Sequence, residues 1–206
     1  MRISHSRRYL DQVKEIAEEI DHEVLERIAV GLVDLRNSGG RLFILGVGGS
    51  AANASHMVND FRKMARIEAY APTDNVSELT ARTNDEGWDT VFAEWLKVSR
   101  AGAGDAVFVL SVGGGDVDRN VSVNIVRALE EAQRRRLRIY GIVGRSDGHT
   151  ARVADEVVIV PTVDPAHVTA HAESFQAVVW HCIVFHPELI ATTAKWEGLQ
   201  RSEESR

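Results

Sequence analysis

One segment in the first quarter of the chain constrains the fold more than any other. Four apolar residues, Leu42–Leu45, precede a turn with three glycines and a serine, Gly46–Ser50, and a helix-compatible run follows. The apolar run is too short for a helix but suits a strand buried in a parallel sheet. A strand that continues through a glycine turn into a helix directs bare backbone N–H groups at one point, which suits a phosphate. The segment therefore predicts an α/β fold with an anion site.

The turn itself does not match a nucleotide-binding motif. Gly48, Gly49 and Ser50 are candidate phosphate contacts, but the turn lacks the third glycine of G-x-G-x-x-G and the Gly-Lys-Ser/Thr of a P-loop. A purely structural turn remains an alternative. His56 and Asp60 lie one helical turn apart on the helix that follows, so their side chains share a face beside the turn. Phosphate binding and acid–base chemistry are thus predicted together.

Composition limits the class of protein. The chain has 206 residues, 44% hydrophobic and 26% charged, which fits one globular α/β domain with an appendage. The net charge of −6 argues against a nucleic-acid partner. The basic cluster Arg134–Arg136 with Arg138 is interpreted as a solvated cap at a helix end.

The single cysteine and the hydropathy pattern bear on the compartment. Cys182 stands alone, so a disulfide framework is excluded and a reducing, cytoplasmic setting is predicted. Its apolar neighbours predict that it is a buried small side chain. No apolar run approaches the roughly 20 residues needed to cross a bilayer, so no membrane association is expected.

Hydrophobic periodicity predicts the organisation of the chain. Residues 1–40 are interpreted as a helical region for packing or oligomerisation, 41–198 as the α/β domain and 199–206 as a flexible tail. The apolar stripe of the first region could pack on its own domain or, the favoured interpretation, on another subunit. The stripe is Leu10, Val13, Ile16, Ile20, Val24, Ile28 and Leu32.

Short apolar segments then alternate with helical ones, which predicts a doubly wound domain with a parallel sheet of about five strands. The predicted strands are Leu42–Leu45, Ala69–Ala71, Ala106–Leu110, Arg138–Val143 and Val157–Val160. The predicted helices are Ala51–Ala65, Asp89–Ser99, Val121–Arg135 and Thr169–Phe185, with Asn75–Thr83 a helix or a loop.

A second serine–glycine turn follows the strand at 106–110. Ser111 and Gly113 lie in it, and Ser122 is predicted to cap the next helix and supply a hydroxyl group. The carboxyl ends of parallel strands meet at one edge, so the two turns are expected to form a phosphate pocket. Asp116 must turn away from that pocket, because its charge would repel a phosphate.

The order of these motifs resembles the sugar isomerase (SIS) domain family over roughly residues 8 to 190. Within the family, the similarity is greatest to the sedoheptulose 7-phosphate isomerase (phosphoheptose isomerase) group. The segment Leu79-Thr-Ala81 with Asn84-Asp85-x-Gly87 is similar to the group's L-T-A-x-x-N-D-x-G. The resemblance implies isomerisation of a ketose phosphate to an aldose phosphate, and homotetramers whose subunits share active sites.

The resemblance also assigns roles residue by residue. Asp60, where the group has glutamate, and His181 are the implied acid–base pair. Glu173 stands where the group has glutamine, and the implied set of metal ligands is His56, Asp60, Glu173 and His181. The implied substrate contacts are Gly48, Gly49, Ser50, Asn53, Thr80, Asp85, Ser111, Gly113, Ser122 and Glu173. The group's second loop serine is replaced by Gly113, and its third is displaced to Ser122.

The predicted function is therefore conversion of sedoheptulose 7-phosphate to D-glycero-D-manno-heptose 7-phosphate through an enediol. Such a reaction needs a base and an acid, and two imidazoles with two carboxylates could instead, or in addition, hold zinc. Bound and absent metal are equal alternatives. The alternative function is a non-catalytic tetrameric scaffold, for example for a replication initiator, or a sugar-phosphate sensor. Trp88, Trp95, Trp180 and Trp196 are interpreted as packing or interface residues.

Overall fold

The computed structural model describes residues 3–196 and residue 199, so most of the predicted tail lies outside the described residues. The strands are β1 Arg41–Leu45, β2 Glu68–Tyr70, β3 Ala106–Ser111, β4 Arg138–Val143 and β5 Glu156–Ile159. The helices are α1 His5–Glu19, α2 His22–Asn37, α3 Gly49–Asp60, α4 Val76–Asp85, α5 Val91–Val98, α6 Val123–Arg134, α7 His149–Val153 and α8 Val168–Val184. Among the described residues, no helix has the length and apolar character that a membrane span requires.

Across the described residues, five strands form one parallel sheet in the order β2-β1-β3-β4-β5. The predicted doubly wound architecture is confirmed. From β1 the chain first adds β2 on one side and then crosses to add β3 on the other, where Leu42 pairs with Ala106. This reversal makes the gap between the carboxyl ends of β1 and β3 the topological switch point, which is where ligands bind in open α/β sheets.

The sheet is covered on both faces. Along β1, Leu42 and Ile44 belong to one hydrophobic core, while Phe43 and Leu45 belong to the other. The first core also takes apolar side chains from α1, α2, α3 and α8, and the second takes them from α5 and α6. Because successive strand residues face opposite sides, a continuous apolar run is what a strand buried between two helical layers requires.

The N-terminal helices pack on their own domain. Ile16, Ile20, Val24, Ile28 and Leu32 are buried in the first core. For these residues the favoured interpretation, packing on another subunit, is replaced by packing on their own domain. The reason is that β5 and α8 already offer an apolar surface within the chain. Leu10 differs, since it remains 63% exposed.

Several local predictions need correction. Helix α3 was expected to run to Ala65, but it ends at Asp60 and gives way to a π-helical turn, Phe61–Ala65. Such turns are frequent at functional sites. Cys182 is exposed, contrary to the expectation of burial, because it lies on the outer face of α8. The basic cluster is not simply solvated: Arg134 and Arg135 both bind the buried carboxylate of Glu131.

A charged pair fastens the opposite edge of the sheet, where β1 and β3 begin. Arg41 donates to Asp105 through its backbone N–H (2.9 Å) and through Nε (3.1 Å) and Nη2 (2.7 Å). Gly102 N–H donates to the same carboxylate (3.0 Å). Burial alone would raise the pKa of Asp105, but the hydrogen bonds from Arg41 and Gly102 outweigh it and hold the pKa below its usual value.

Candidate active site

The two serine–glycine turns meet at the switch point. Gly48 has a left-handed φ of 63°, which the turn needs and which a side chain would strain. A Cβ atom on Gly48 or Gly113 would meet nothing within 4 Å, so both glycines border open space. The two turns follow the carboxyl ends of the paired strands β1 and β3, so this open space is the cleft of the predicted site.

Asp60 lies at the end of α3, where it meets α8. Its Oδ2 atom is 3.2 Å from Nε2 of His181 and 3.5 Å from Nε2 of His56. The three side chains each offer one ligand atom, and these atoms lie within 4.8 Å of one another. The Asp60 side chain is 13% exposed, while His56 and His181 are 55% and 42% exposed. The predicted acid–base pair is thus brought together, with an open side toward solvent. We call these residues the triad.

The contact of Nδ1 of His181 determines which tautomer the ring adopts, and so whether Nε2 carries a proton. Nδ1 lies 2.7 Å from the carbonyl oxygen of Ala177, and a carbonyl only accepts, so Nδ1 carries a proton. In a neutral ring Nε2 would then present a lone pair to Oδ2 of Asp60. Two acceptors 3.2 Å apart repel unless a proton or a metal cation lies between them. The geometry therefore suits a site that transfers a proton or holds a cation.

The structure does not bring Glu173 into the triad. Eight residues of helix separate it from His181, a rise of about 12 Å. Its carboxylate turns instead toward the N-terminus of α3, where a Cβ on Gly49 would lie 2.6 Å from both Glu173 oxygens. Three of the four metal ligands implied by the resemblance therefore lie together, and Glu173 as a ligand stays a prediction. Glu173 remains at the glycine turn, where a substrate contact was predicted.

Ser50 and Asn53 are held by α8. Gln176 is fully buried; its Nε2 donates to Ser50 Oγ (2.9 Å) and its Oε1 accepts from Asn53 Nδ2 (2.8 Å). Asn53 also donates to the Glu173 carbonyl oxygen (2.9 Å). These bonds lock α3 against α8 and so fix the triad, which spans both helices. In this structure the two predicted sugar-phosphate ligands serve that contact.

The second turn is also internally bonded. Ser111 is buried, and its Oγ accepts from Gly114 N–H (3.0 Å). Asp116 pairs through its backbone with Val121, and its carboxylate accepts from Arg119 N–H (2.9 Å), so it is turned into its own loop as predicted. Ser122 occupies the N-cap position of α6, but its side chain makes no capping hydrogen bond there, so the predicted cap is wrong for this side chain. The supply of its hydroxyl group to a phosphate stays a prediction.

Two predicted sugar contacts lie elsewhere on the surface. Helix α4 has no buried residue. Thr80 donates to the Val76 carbonyl oxygen (2.8 Å), and Asp85 accepts from Asn84 Nδ2 (2.7 Å), so their recorded bonds are local to α4. The single chain therefore does not bring Thr80 and Asp85 to the triad.

Sequence reasoning missed the role of Trp180. It was interpreted as a packing residue, yet its indole Nε1 donates to Asp60 Oδ2 at 2.9 Å. Its position directly before His181 was the available signal. Gln176, left open between a helix contact and support of the site, supports it through Ser50 and Asn53.

The fold and the triad together define a doubly wound α/β protein with a His–Asp–His cluster on the helix that follows a glycine turn and on its neighbour α8. Residues 8–144 match the SIS domain family. The chain belongs to the SIS domain family.

Relatives within that family carry a more specific name. The chain is 33% identical over 172 residues to a probable phosphoheptose isomerase from Thermoplasma volcanium, covering 79% of this chain and 84% of the relative. It is 32% identical over 171 residues to the phosphoheptose isomerase of Mycobacterium tuberculosis, covering 81% and 82% of the two chains. Among solved structures, phosphoheptose isomerase GmhA from Neisseria gonorrhoeae is similar, with a TM-score of 0.73, 27% identity, and 84% and 90% of the chains covered.

Proposed function

We propose that this protein is a phosphosugar isomerase, an intramolecular oxidoreductase that converts sedoheptulose 7-phosphate to D-glycero-D-manno-heptose 7-phosphate. The observation that carries the proposal is the convergence of Asp60 and His56, on the helix that begins at the glycine turn, with His181. The relatives named phosphoheptose isomerase span most of the chain and select the substrate.

The triad supports an enediol mechanism. Asp60 takes a proton from C1 of the ketose, and His181 gives a proton to the carbonyl oxygen at C2, which forms the enediol. Asp60 then returns its proton to C2 while the O1 proton goes back to His181, and the aldose results. The base and the acid are 3.2 Å apart, so neither group has to move far between the two steps.

Phosphate recognition falls to the two turns. The N-terminus of α3 points backbone N–H groups and a partial positive charge at the cleft. Gly48, Gly49 and Gly113 allow the phosphate to approach the backbone, with Ser50, Ser111 and Ser122 as hydroxyl donors. For Ser50 and Ser111 the oxygen accepts an internal hydrogen bond, and the hydroxyl proton is the group offered to phosphate.

The triad also fits a divalent metal ion. Two imidazole nitrogens and one carboxylate are a frequent protein ligand set of catalytic zinc, which leaves a position open. When bound, zinc would polarise the sugar carbonyl. We propose His56, Asp60 and His181 as the ligands. Elemental analysis of protein purified without chelator tests this; less than about a tenth of an equivalent per chain, with no uptake of added zinc, would contradict it.

We further propose that subunits of a homotetramer share the active site. Thr80 and Asp85 are exposed on α4, and Val178 and Phe185 are exposed apolar side chains on the helix that carries His181. Light scattering gives the assembly state. Mixing inactive Asp60→Asn and Thr80→Val chains then tests sharing, because mixed assemblies regain activity only if one site uses both chains. The cytoplasmic location remains the prediction from the lone cysteine.

The reaction itself is tested by NMR. Sedoheptulose 7-phosphate is incubated with the protein, with and without zinc, and new anomeric signals of the aldose are followed. The Asp60→Asn variant is the matched control and is expected to be silent. No conversion by the unmodified protein would contradict the enzyme and favour the scaffold or the sensor, which bind without turnover.

A further inference from the structure

The shortest contact of the Asp60 carboxylate comes from outside the triad. Trp180 Nε1 donates to Oδ2 at 2.9 Å, closer than either histidine nitrogen. The same oxygen faces both histidines, so the indole reaches the atom that is proposed to carry the proton. The other oxygen, Oδ1, accepts from Asn59 Nδ2 (3.0 Å).

The indole ring also contacts both histidines. Its centroid is 5.3 Å from the His56 ring at an interplanar angle of 74°, and 5.0 Å from the His181 ring at 40°. Trp180 is fully buried, so the ring is held by the core behind it. One rigid side chain therefore touches every member of the triad.

The need for such a support follows from the length of the carboxylate. Aspartate stands where the resemblance expects glutamate, and it is one methylene shorter. A shorter side chain must be aimed more accurately to reach two histidines, and rotation about Cβ–Cγ would exchange its two oxygens. An indole N–H donates only and does not lose its proton, so it holds one carboxylate oxygen, and with it the plane of the carboxylate, in a fixed position.

We propose that Trp180 is a positioning residue that holds Oδ2 of Asp60 toward His56 and His181. The inference rests on the proposed isomerase function and adds a residue to it. Supporting groups of this kind typically change activity or metal affinity about 10- to 100-fold when they are removed. Trp180 acts through Asp60 and does not itself touch the substrate.

The test removes the N–H and keeps the ring. Trp180→Phe is expected to lower kcat by about 10- to 100-fold with KM changed less than about twofold, because phosphate binding lies at the turns. Trp95→Phe is the matched control, since Trp95 packs edge-on against Phe43 in the second hydrophobic core, and its kcat should stay unchanged. An unaltered kcat in Trp180→Phe would overturn the inference.

A second variant covers the case in which Trp180→Phe does not fold. Benzothienylalanine at position 180 keeps the shape of the indole but replaces its N–H by sulfur, and the same loss of kcat is expected. An unaltered kcat would again overturn the inference.

The hydrogen bond is also observed directly. In protein labelled with ¹⁵N-tryptophan, the Trp180 indole proton should be shifted downfield and exchange slowly, and Asp60→Asn should move it upfield. An indole signal unaffected by Asp60→Asn would count against the contact. Conversion of substrate by the unmodified protein separates the two hypotheses: no conversion defeats the proposed function, whereas conversion with a normal Trp180→Phe enzyme defeats only this inference.

Discussion

Two carboxylates in different parts of the domain are almost equally buried and are proposed to have opposite roles. Asp105 lies just before β3 and is 10% exposed; Asp60 ends α3 and is 13% exposed. Each accepts several hydrogen bonds. What differs is the chemistry of the donors.

Asp105 is bound by a guanidinium that never loses its proton. Arg41 also donates to the carbonyl oxygens of Ser99 (2.9 Å) and Arg100 (3.2 Å), so the pair ties β1 and β3 to the end of α5. Because the guanidinium is permanently charged, it neutralises the Asp105 carboxylate and exchanges no proton with it. The Arg41–Asp105 pair therefore has a structural role at this edge of the sheet.

Asp60 is bound by groups of another kind. His56 and His181 each turn an imidazole nitrogen toward the carboxylate, and Trp180 donates without carrying charge. These partners hold the Asp60 carboxylate in place without setting a permanent positive charge beside it. The comparison teaches that burial alone does not mark a reactive carboxylate; the partners decide.

The largest expected effect is on activity. Asp60→Asn keeps the shape and the acceptor for Trp180 but removes the base, so kcat/KM should fall about 10³-fold while unfolding free energy changes by less than about 1 kcal/mol. Steady-state kinetics and urea unfolding measure the two quantities. Activity within tenfold of the unmodified protein would remove Asp60 from the mechanism.

Asp105 should show the reverse pattern. Asp105→Ala leaves the Arg41 guanidinium without its partner, and unfolding free energy is expected to fall by about 3 kcal/mol. The kcat of the folded protein should stay within about twofold, because the pair lies where β1 and β3 begin and its hydrogen bonds go to the end of α5 and not to the triad. A large loss of kcat with normal stability would break the comparison.

Lowering the pH should reveal how much the ion-paired Glu131 carboxylate contributes to stability. Hydrogen bonds from Arg134, and then from Arg135, outweigh burial and lower the pKa of Glu131 from 4.5 to about 2. A lowered pKa stabilises the fold above the unfolded value and the contribution is lost as pH falls from about 4.5 toward about 2.

Between pH 5 and pH 3, Glu131→Gln should therefore lose about 1 kcal/mol less stability than the unmodified protein, allowing for the exposure of Arg134. Urea unfolding at the two pH values measures it. Equal losses in both proteins would show that the Glu131 pair does not contribute.

The smallest expected effect concerns metal. Glu173 lies at Gly49 and outside the triad, so Glu173→Gln should change zinc uptake less than about twofold, whereas His56→Ala should lower affinity at least about tenfold. Competition with a chromogenic chelator measures both. A large loss in Glu173→Gln would return that carboxylate to the metal site.

How far the sequence could predict these features depends on how local they are. The run Leu42–Leu45 and the turn after it fixed the strand, the cleft and the face shared by His56 and Asp60, because strand and helix periods are local. The orientation of Glu173 was not predictable, since a helix places a side chain but tertiary contacts choose its rotamer. Spacing says which residues share a helix, and not which of them reach the same point.

The sequence also could not show which side chains are exposed or which surface covers an apolar helix face. Ile16 and Ile28 announce an apolar stripe, but the pattern is the same whether the chain or a second copy covers it. Cys182 sits among apolar neighbours in sequence and still faces outward, because adjacent helical residues point in different directions. Trp180 was interpreted as a core residue, which it is, but its hydrogen bond to Asp60 joins α8 to α3, and residue spacing within one helix does not show such a tertiary contact.

The two walls of the cleft belong to different layers of the molecule. Helices α3 and α8, with the triad, stand on one hydrophobic core, and α6, which follows the second turn, stands on the other. Substitutions that reshape one core move one wall and leave its counterpart in place. Substitutions in the loop before α6 can consequently change how the proposed phosphate site is shaped while the core beneath the triad keeps its packing, so the architecture lets binding and reactivity evolve separately.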